Sequence, residues 1–260
     1  MFELLFLFLA GLLSGGVNAI AGGGSFISFP ALLFAGLPPV IANATNTFSA
    51  CGGYLSGSFA FRKELLAEKA IVIGFSIVGL LGGLAGGYLL LSTDATIFAN
   101  LIPWLMLIAT VLFFLGPRLN AFLAQHFAQS TRANGRLKTW GVWGATYLLM
   151  FGVSVYGGYF NAGLGIVILS CMSLLGYTHI HFMNGIKLWL SSVISIFSII
   201  VFIANDAIAW YAGGIVLVGS VIGTYFASLY SKRVNPQLIK HIIGIVSVCL
   251  TAYFFYDVYA

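Results

Sequence analysis

Apolar residues run in long blocks near 2–21, 25–36, 40–61, 70–91 and 97–115, and again near 139–157, 160–176, 180–204, 207–230 and 237–259. None shows the strict alternation of a strand. Blocks of about 18 or more apolar residues are long enough to cross a bilayer as helices, and a spanning backbone must satisfy its hydrogen bonds internally. The pattern predicts an all-α integral membrane protein with about ten transmembrane or half-spanning segments. Two blocks, 25–36 and 160–176, are short for a crossing and follow glycine-rich breaks. Broken or re-entrant helices are expected there.

Composition agrees with the pattern. Of 260 residues, 60% are hydrophobic and only 7% charged, with mean hydropathy +1.05, where a soluble domain carries roughly 25% charged residues. The net charge of +5 is scattered over short loops. It forms no stripe that would follow a duplex, so the bilayer and not nucleic acid is the expected partner. Cys51, Cys171 and Cys249 lie in apolar blocks without CxxC spacing, so no disulfide, metal site or cofactor is predicted. The first block carries Glu3 and no basic residue before it, which predicts a retained helix and not a cleaved leader.

Charge placement sets the expected sidedness. Arg62, Lys63 and Lys69; Arg118, Arg132, Arg136 and Lys138; and Lys232, Arg233 and Lys240 cluster at three loops, while Lys187 lies inside an apolar block. The opposite loops and both termini hold Glu3, Asp94, Asp206 and Asp257. By the positive-inside bias the basic loops are cytoplasmic and both termini face outward. A bacterial cytoplasmic (inner) membrane is the expected location.

Five blocks precede the polar stretch 116–138 and five follow it. An odd number of crossings makes the second half enter from the other side, so residues 1–115 and 139–260 are expected to be inverted repeats, as in secondary transporters. At an offset of 141, Gly16, Ala21, Gly22 and Gly24 meet Gly157, Ala162, Gly163 and Gly165. Asn43-Ala44-Thr45-Asn46 meets Asn184-Gly185-Ile186-Lys187 at the same offset.

The breaks are the first candidates for chemistry. Gly22-Gly23-Gly24 lets the chain turn, Ser25 stands where an N-cap hydroxyl is expected, and Gly163 and Gly165, preceded by Asn161, supply the opposed break. A helix N-terminus attracts anions. The alternative is close helix packing through small residues. The second candidates are polar positions on the helices starting near 40 and 180: Asn43, Thr45, Asn46, Asn184 and Lys187, with Asn18 beside the first break. The asparagines either bind substrate or cross-link helices, and Lys187 either attracts an oxyanion or snorkels to the cytoplasmic surface. His179 and His181 read as interface caps, with a metal pair the lesser alternative, and His126 and His241 as loop or interface residues. Trp104, Trp140 and Trp210 read as an aromatic belt, and Pro38-Pro39 as the end of the short second segment. No Asp or Glu lies inside an apolar block, so a carboxylate proton relay is not expected.

The segment GLLSGGVNAIAGGGSFISFPALLFAGLPPVIANATNTFSA (11–50) resembles the first half of the sulfite exporter TauE/SafE family, and YGGYFNAGLGIVILSCMSLLGYTHIHFMNGIKLWLSS (156–192) resembles its second-half counterpart. The similarity extends over nearly the whole chain. One departure is Asn184-Gly185-Ile186-Lys187, where many relatives carry a threonine- or asparagine-rich segment. The resemblance implies a transporter, not an enzyme, for sulfite or another sulfur oxyanion or organosulfonate. Export by alternating access, driven by the membrane potential at roughly 2.3 kcal/mol per charge per 100 mV, is the expected mode, with sodium or proton coupling the open alternative. The alternatives are a passive anion channel or a membrane-embedded sulfur-handling enzyme using Cys51 or Cys171. A homo-oligomer is compatible with the pattern.

Overall fold

A computed structural model describes residues 2–20, 22–130, 136–177, 179–230 and 236–259, without the side chains of 116–142, 174 and 228–240. Ala21, His126, Trp140 and the cations Arg118, Arg132, Arg136, Lys138, Lys232, Arg233 and Lys240 fall outside the described residues or side chains. The described backbone forms α1 (Phe2–Ile20), α2 (Ser25–Phe34), α3 (Pro39–Ala60), α4 (Arg62–Ala67), α5 (Lys69–Ser92) and α6 (Ala95–Ser130). It continues as α7 (Arg136–Tyr159), α8 (Leu164–Leu174), α9 (Ile180–Ala204), α10 (Trp210–Tyr230) and α11 (Pro236–Tyr259).

Most boundaries follow the apolar blocks within a few residues. Two features differ. The polar stretch expected at 116–138 is helical as far as Ser130, because residues 118–130 contain no Gly or Pro and are rich in Ala, Leu and Gln. The loop after α3 contains α4, whose Leu65 is buried.

Among the described residues, six helices are long and apolar enough to cross a membrane: α1, α5, α6 up to Leu115, α9, α10 up to Ala227 and α11 from His241. The third apolar block becomes α3, which carries Asn43, Thr45, Asn46, Thr47 and Ser49 on its buried side. At 10 and 11 residues, α2 and α8 span only about 15 Å of the roughly 30 Å hydrocarbon core. They are half-spanning, as the short blocks predicted.

Helix packing is paired across the chain. The principal contacts join α1 to α10 and α5 to α7, α3 to α10 and α5 to α9, α6 to α8 and α2 to α11, α1 to α2 and α7 to α8. α3 packs on α9, and α6 on α11. Exchanging α1, α2, α3, α5 and α6 for α7, α8, α9, α10 and α11 turns each of these pairs into another or leaves it unchanged. The tightest pairs rest on glycine. A methyl on Gly15 would stand 2.0 Å from the Ser220 carbonyl oxygen, and one on Gly86 would stand 2.2 Å from that of Val155. Lipid tails are as apolar as leucine, so such backbone approach is what holds membrane helices together. Phe29 and Phe98 meet the Phe160 ring edge-on at 5.5 Å and 6.5 Å.

Candidate substrate site

Each short helix begins at a turn that its own sequence dictates. After α1, Gly22 adopts φ +80, a left-handed conformation costly for any residue with a Cβ, and donates its N–H to the Val17 carbonyl at 3.1 Å. Gly24 is the N-cap of α2 and has no side chain with which to cap. Ser25 is the first residue inside the helix, so the expected N-cap serine does not cap it. Asn18 performs that task from the previous helix, its Oδ1 accepting the Gly24 N–H at 2.8 Å. A methyl on Gly24 would lie 2.6 Å from Asn18 Cγ, so the bond needs glycine there. Gly23 packs against the Phe26 ring and Ile243.

The second break is built in parallel. Gly163 takes φ +74 and is the N-cap of α8, accepting the Ile166 N–H at 2.9 Å. The Tyr156 hydroxyl donates to the Ala162 carbonyl at 2.7 Å and holds the turn against α7. Both short helices stop in the same way. Gly36 (φ +85) and Gly176 (φ +83) donate to Leu33 and Ser173, while the next residues, Leu37 and Tyr177, reach back to Leu32 and Met172. This is a Schellman ending. Gly36 therefore ends α2, and Pro38-Pro39 instead opens α3, with Pro39 at its first position.

The two breaks meet. A Cβ on Gly22 would sit 3.5 Å from the Gly165 Cα, and one on Gly165 would sit 3.2 Å from the Gly22 carbonyl oxygen and 3.1 Å from Lys187 Cδ. Lys187 is 1% exposed. Its side chain lies along the α8 start and does not snorkel to the surface. One lysine aliphatic stem and two glycine backbones thus occupy the point where the hairpins touch.

Polar side chains surround this point. Tyr54 on α3 donates to Asn161 Oδ1 at 3.1 Å, and Asn18 and Ser25 lie near the same hydroxyl. Ser28 donates to Asn46 Oδ1 and pairs with Ser14 at 3.0 Å. Asn18, Ser25, Asn46 and Asn161 are all nearly fully buried. Among the described residues, Asn18 Nδ2, Asn46 Nδ2 and Asn161 Nδ2 have no hydrogen-bond partner.

Other expected residues sit in contacts of their own or nearer the surface. Asn43 Nδ2 donates to the Tyr159 carbonyl at 2.8 Å, cross-linking α3 to α7. Thr45 Oγ1 accepts the Ala209 N–H at 3.0 Å and so caps the start of α10. Asn184 is only half-buried, near the start of α9. His179 caps α9, its Nδ1 accepting the Phe182 N–H at 3.3 Å. Trp104 is exposed and donates to the Tyr259 hydroxyl at 3.1 Å. Cys51 and Cys171 are buried thiols. Sequence reasoning missed Tyr54, although Asn43, Thr47, Ala50 and Tyr54 recur at helical spacing on one face.

Long apolar spans enclosing two opposed half-helices with buried polar groups at their tips define an integral membrane transporter. The family model of the sulfite exporter TauE/SafE matches residues 7–254. The chain belongs to that family. It is 30% identical to a probable membrane transporter protein of Haemophilus influenzae over 267 residues, covering 98% of this chain and 95% of that one. It is 29% identical to the probable membrane transporter protein YfcA of Escherichia coli K12 over 257 residues, covering 96% and 89%. A probable membrane transporter protein of Sinorhizobium, ORF9, shares 26% over 254 residues, covering 95% and 90%. No solved structure matches the chain.

Proposed function

We propose that this transporter exports a small sulfur oxyanion, sulfite or an organosulfonate, through a site at the touching hairpin tips. The carrying observation is Lys187, a lysine 1% exposed and packed at the meeting point of Gly22 and Gly165. Asn18 and Asn161 beside the two breaks are buried, and the described residues include no buried carboxylate. A buried cation in a bilayer is costly and is retained where a pathway needs it. The preference for sulfur anions rests on the family's description as a sulfite exporter.

On this reading α1, although long enough to cross, forms with the half-helix α2 a hairpin that begins and ends on the outer side, while α7–α8 begins and ends on the cytoplasmic side. Three full crossings then remain in each half: α3, α5 and α6, and α9, α10 and α11. Three is odd, so the halves are inverted and the basic loops stay cytoplasmic with both termini outside. Parting the tips toward one side and then the other gives alternating access, and an inside-negative potential drives the anion outward.

The test is saturable sulfite flux into proteoliposomes under an imposed potential, with Lys187→Met beside the wild type. A unit charge about 5 Å from an ammonium at an effective dielectric of about 20 contributes about 3 kcal/mol, near two orders of magnitude in affinity. Lys187→Met is expected to raise KM about 100-fold while the protein stays folded. Unchanged KM would remove Lys187 from the site, and non-saturating flux would make the protein a channel.

A further inference from the structure

We propose that the bodies that rock in transport are two bundles, each mixing the two sequence halves. One is α1, α2 and α3 with α10, the other α4 and α5 with α7, α8 and α9, and both are seated on a central α6–α11 pair. The inference rests on alternating access at the hairpin tips and adds which helices carry each tip.

Contacts sort the helices this way. α1, α2 and α3 pack on one another, and α1 and α3 pack on α10. α5 packs on α7 and α9, α8 on α7 and α9, and α4 on α5 and α9. The second group has a core of its own. Among the described residues, Phe75, Met150, Ile168, Ile186 and Leu190 belong to a buried cluster drawn wholly from α4, α5, α7, α8 and α9. α6 and α11 pack more on each other than on any other helix, with α6 leaning on α8 and α11 on α2.

Inside each bundle the backbones interlock. A methyl on Gly223 of α10 would stand 2.0 Å from the Leu12 carbonyl oxygen of α1, and one on Gly83 of α5 would stand 2.6 Å from that of Ile194 on α9. Hydroxyls pin these bundles further. Thr224 donates to the Gly15 carbonyl at 3.1 Å, Ser49 to the Gly213 carbonyl at 3.0 Å and Ser198 to the Gly83 carbonyl at 2.9 Å. Where backbone meets backbone, helices must separate before they can slide.

The seam between the bundles is built differently. α3 meets α9 where Leu188 packs against Ala50 and Tyr54, and its Cδ1 lies 3.0 Å from where a Cβ on Gly57 would be. Side-chain ends can change rotamer as packed helices shift. The tips touch at Gly22 and Gly165, one tip from each bundle, so movement along this seam opens them. The Tyr54–Asn161 and Asn43–Tyr159 hydrogen bonds, at 3.1 Å and 2.8 Å, cross the same seam and break and re-form with it.

Disulfides distinguish the bundles from the halves. Gly16→Cys with Ala227→Cys joins α1 to α10 inside one bundle, where the two Cβ atoms would be 3.8 Å apart. Gly87→Cys with Ser198→Cys joins α5 to α9 inside the other, at 3.4 Å. Gly57→Cys with Leu188→Cys joins α3 to α9 across the seam, the Leu188 Cγ being 3.7 Å from a Cβ on Gly57. Each link ties the first half of the sequence to the second. Counterflow of labelled methanesulfonate is measured in proteoliposomes, because sulfite would cleave a disulfide, before and after reduction with a phosphine. Linkage is quantified by mass spectrometry, and the wild type with its own cysteines passes through the same treatment. The two links within bundles are expected to leave exchange within about twofold of the reduced protein, and the link across the seam to lower it about tenfold or more until reduced. Loss of exchange on either link within a bundle, regained on reduction, would show that the halves move against each other and would overturn the bundles. Undiminished exchange with Gly57 and Leu188 positions joined would overturn the seam. Lys187→Met in the same assay separates this from the site. An unchanged KM beside the expected pattern of links would remove Lys187 from the anion site and leave the moving bundles standing.

Discussion

Alanine at Gly165 isolates the contact between the hairpins. The backbone there is helical, and in an open helix Gly→Ala stabilises by about 1 kcal/mol. At this position the methyl would stand 3.1 Å from Lys187 Cδ and 3.2 Å from the Gly22 carbonyl oxygen. The lysine chain can shift. The Gly22 oxygen can retreat only if the whole tip moves, because Gly22 is fixed by its left-handed turn and its bond to Val17. Overpacking of this kind costs about 1–3 kcal/mol. The net penalty against touching tips is then roughly 0–2 kcal/mol. A bias of about 1.4 kcal/mol changes the occupancy of one of two transport states tenfold. Gly214→Ala is the matched control, since nothing lies within 4 Å of its new methyl. Melting in detergent and substrate counterflow in proteoliposomes are compared for both variants. Gly165→Ala is expected to melt lower than Gly214→Ala and to exchange substrate several-fold more slowly. Equal melting and equal counterflow would show that the tips do not close on each other, and the site would have to be sought elsewhere.

Two further outcomes follow. Tyr54→Phe leaves Asn161 Oδ1 buried without its donor, a loss of about 1–3 kcal/mol. Outside the membrane, the Thr96 hydroxyl, then the Thr96 and Ile97 backbone N–H groups, hold Asp94 below its ordinary value of 3.8. The unfolded chain therefore takes up this proton first on acidification. The stabilisation is complete above the ordinary value and disappears as pH falls through the lowered one. Acid unfolding followed by circular dichroism should show that component in the wild type and not in Asp94→Asn.

The long blocks were legible because a bilayer demands them, and the two breaks because glycine clusters interrupt otherwise continuous apolar runs. What escaped depended on contacts between distant segments. Ser25 has the chemistry of an N-cap, yet Asn18 reaches Gly24 from the preceding helix, a competition that local spacing does not reveal. Lys187 could equally have turned to the surface. Its burial follows from Gly165, whose missing side chain leaves room for the lysine stem. Thr45 looked like a ligand because it sits among asparagines, but Ala209, far along the chain, needs an acceptor there. The helical run to Ser130 was hidden by its polarity, since hydropathy marks what lies in lipid and not what is helical.

The polarity of α3 bears on how the protein is made. Four of its hydrogen bonds run to Tyr159, Asn161, Ala209 and Gly213, partners 107 to 164 residues later in the chain. When α3 leaves the ribosome, none of these yet exists, and Asn43, Thr45 and Tyr54 enter the membrane machinery without these partners, although Asn46 can already meet Ser28. The helix must wait beside water, lipid headgroups or a chaperone until the second half arrives. Although the two halves pack as counterparts, the first cannot mature alone, and synthesis of the whole chain becomes a precondition for settling its third helix.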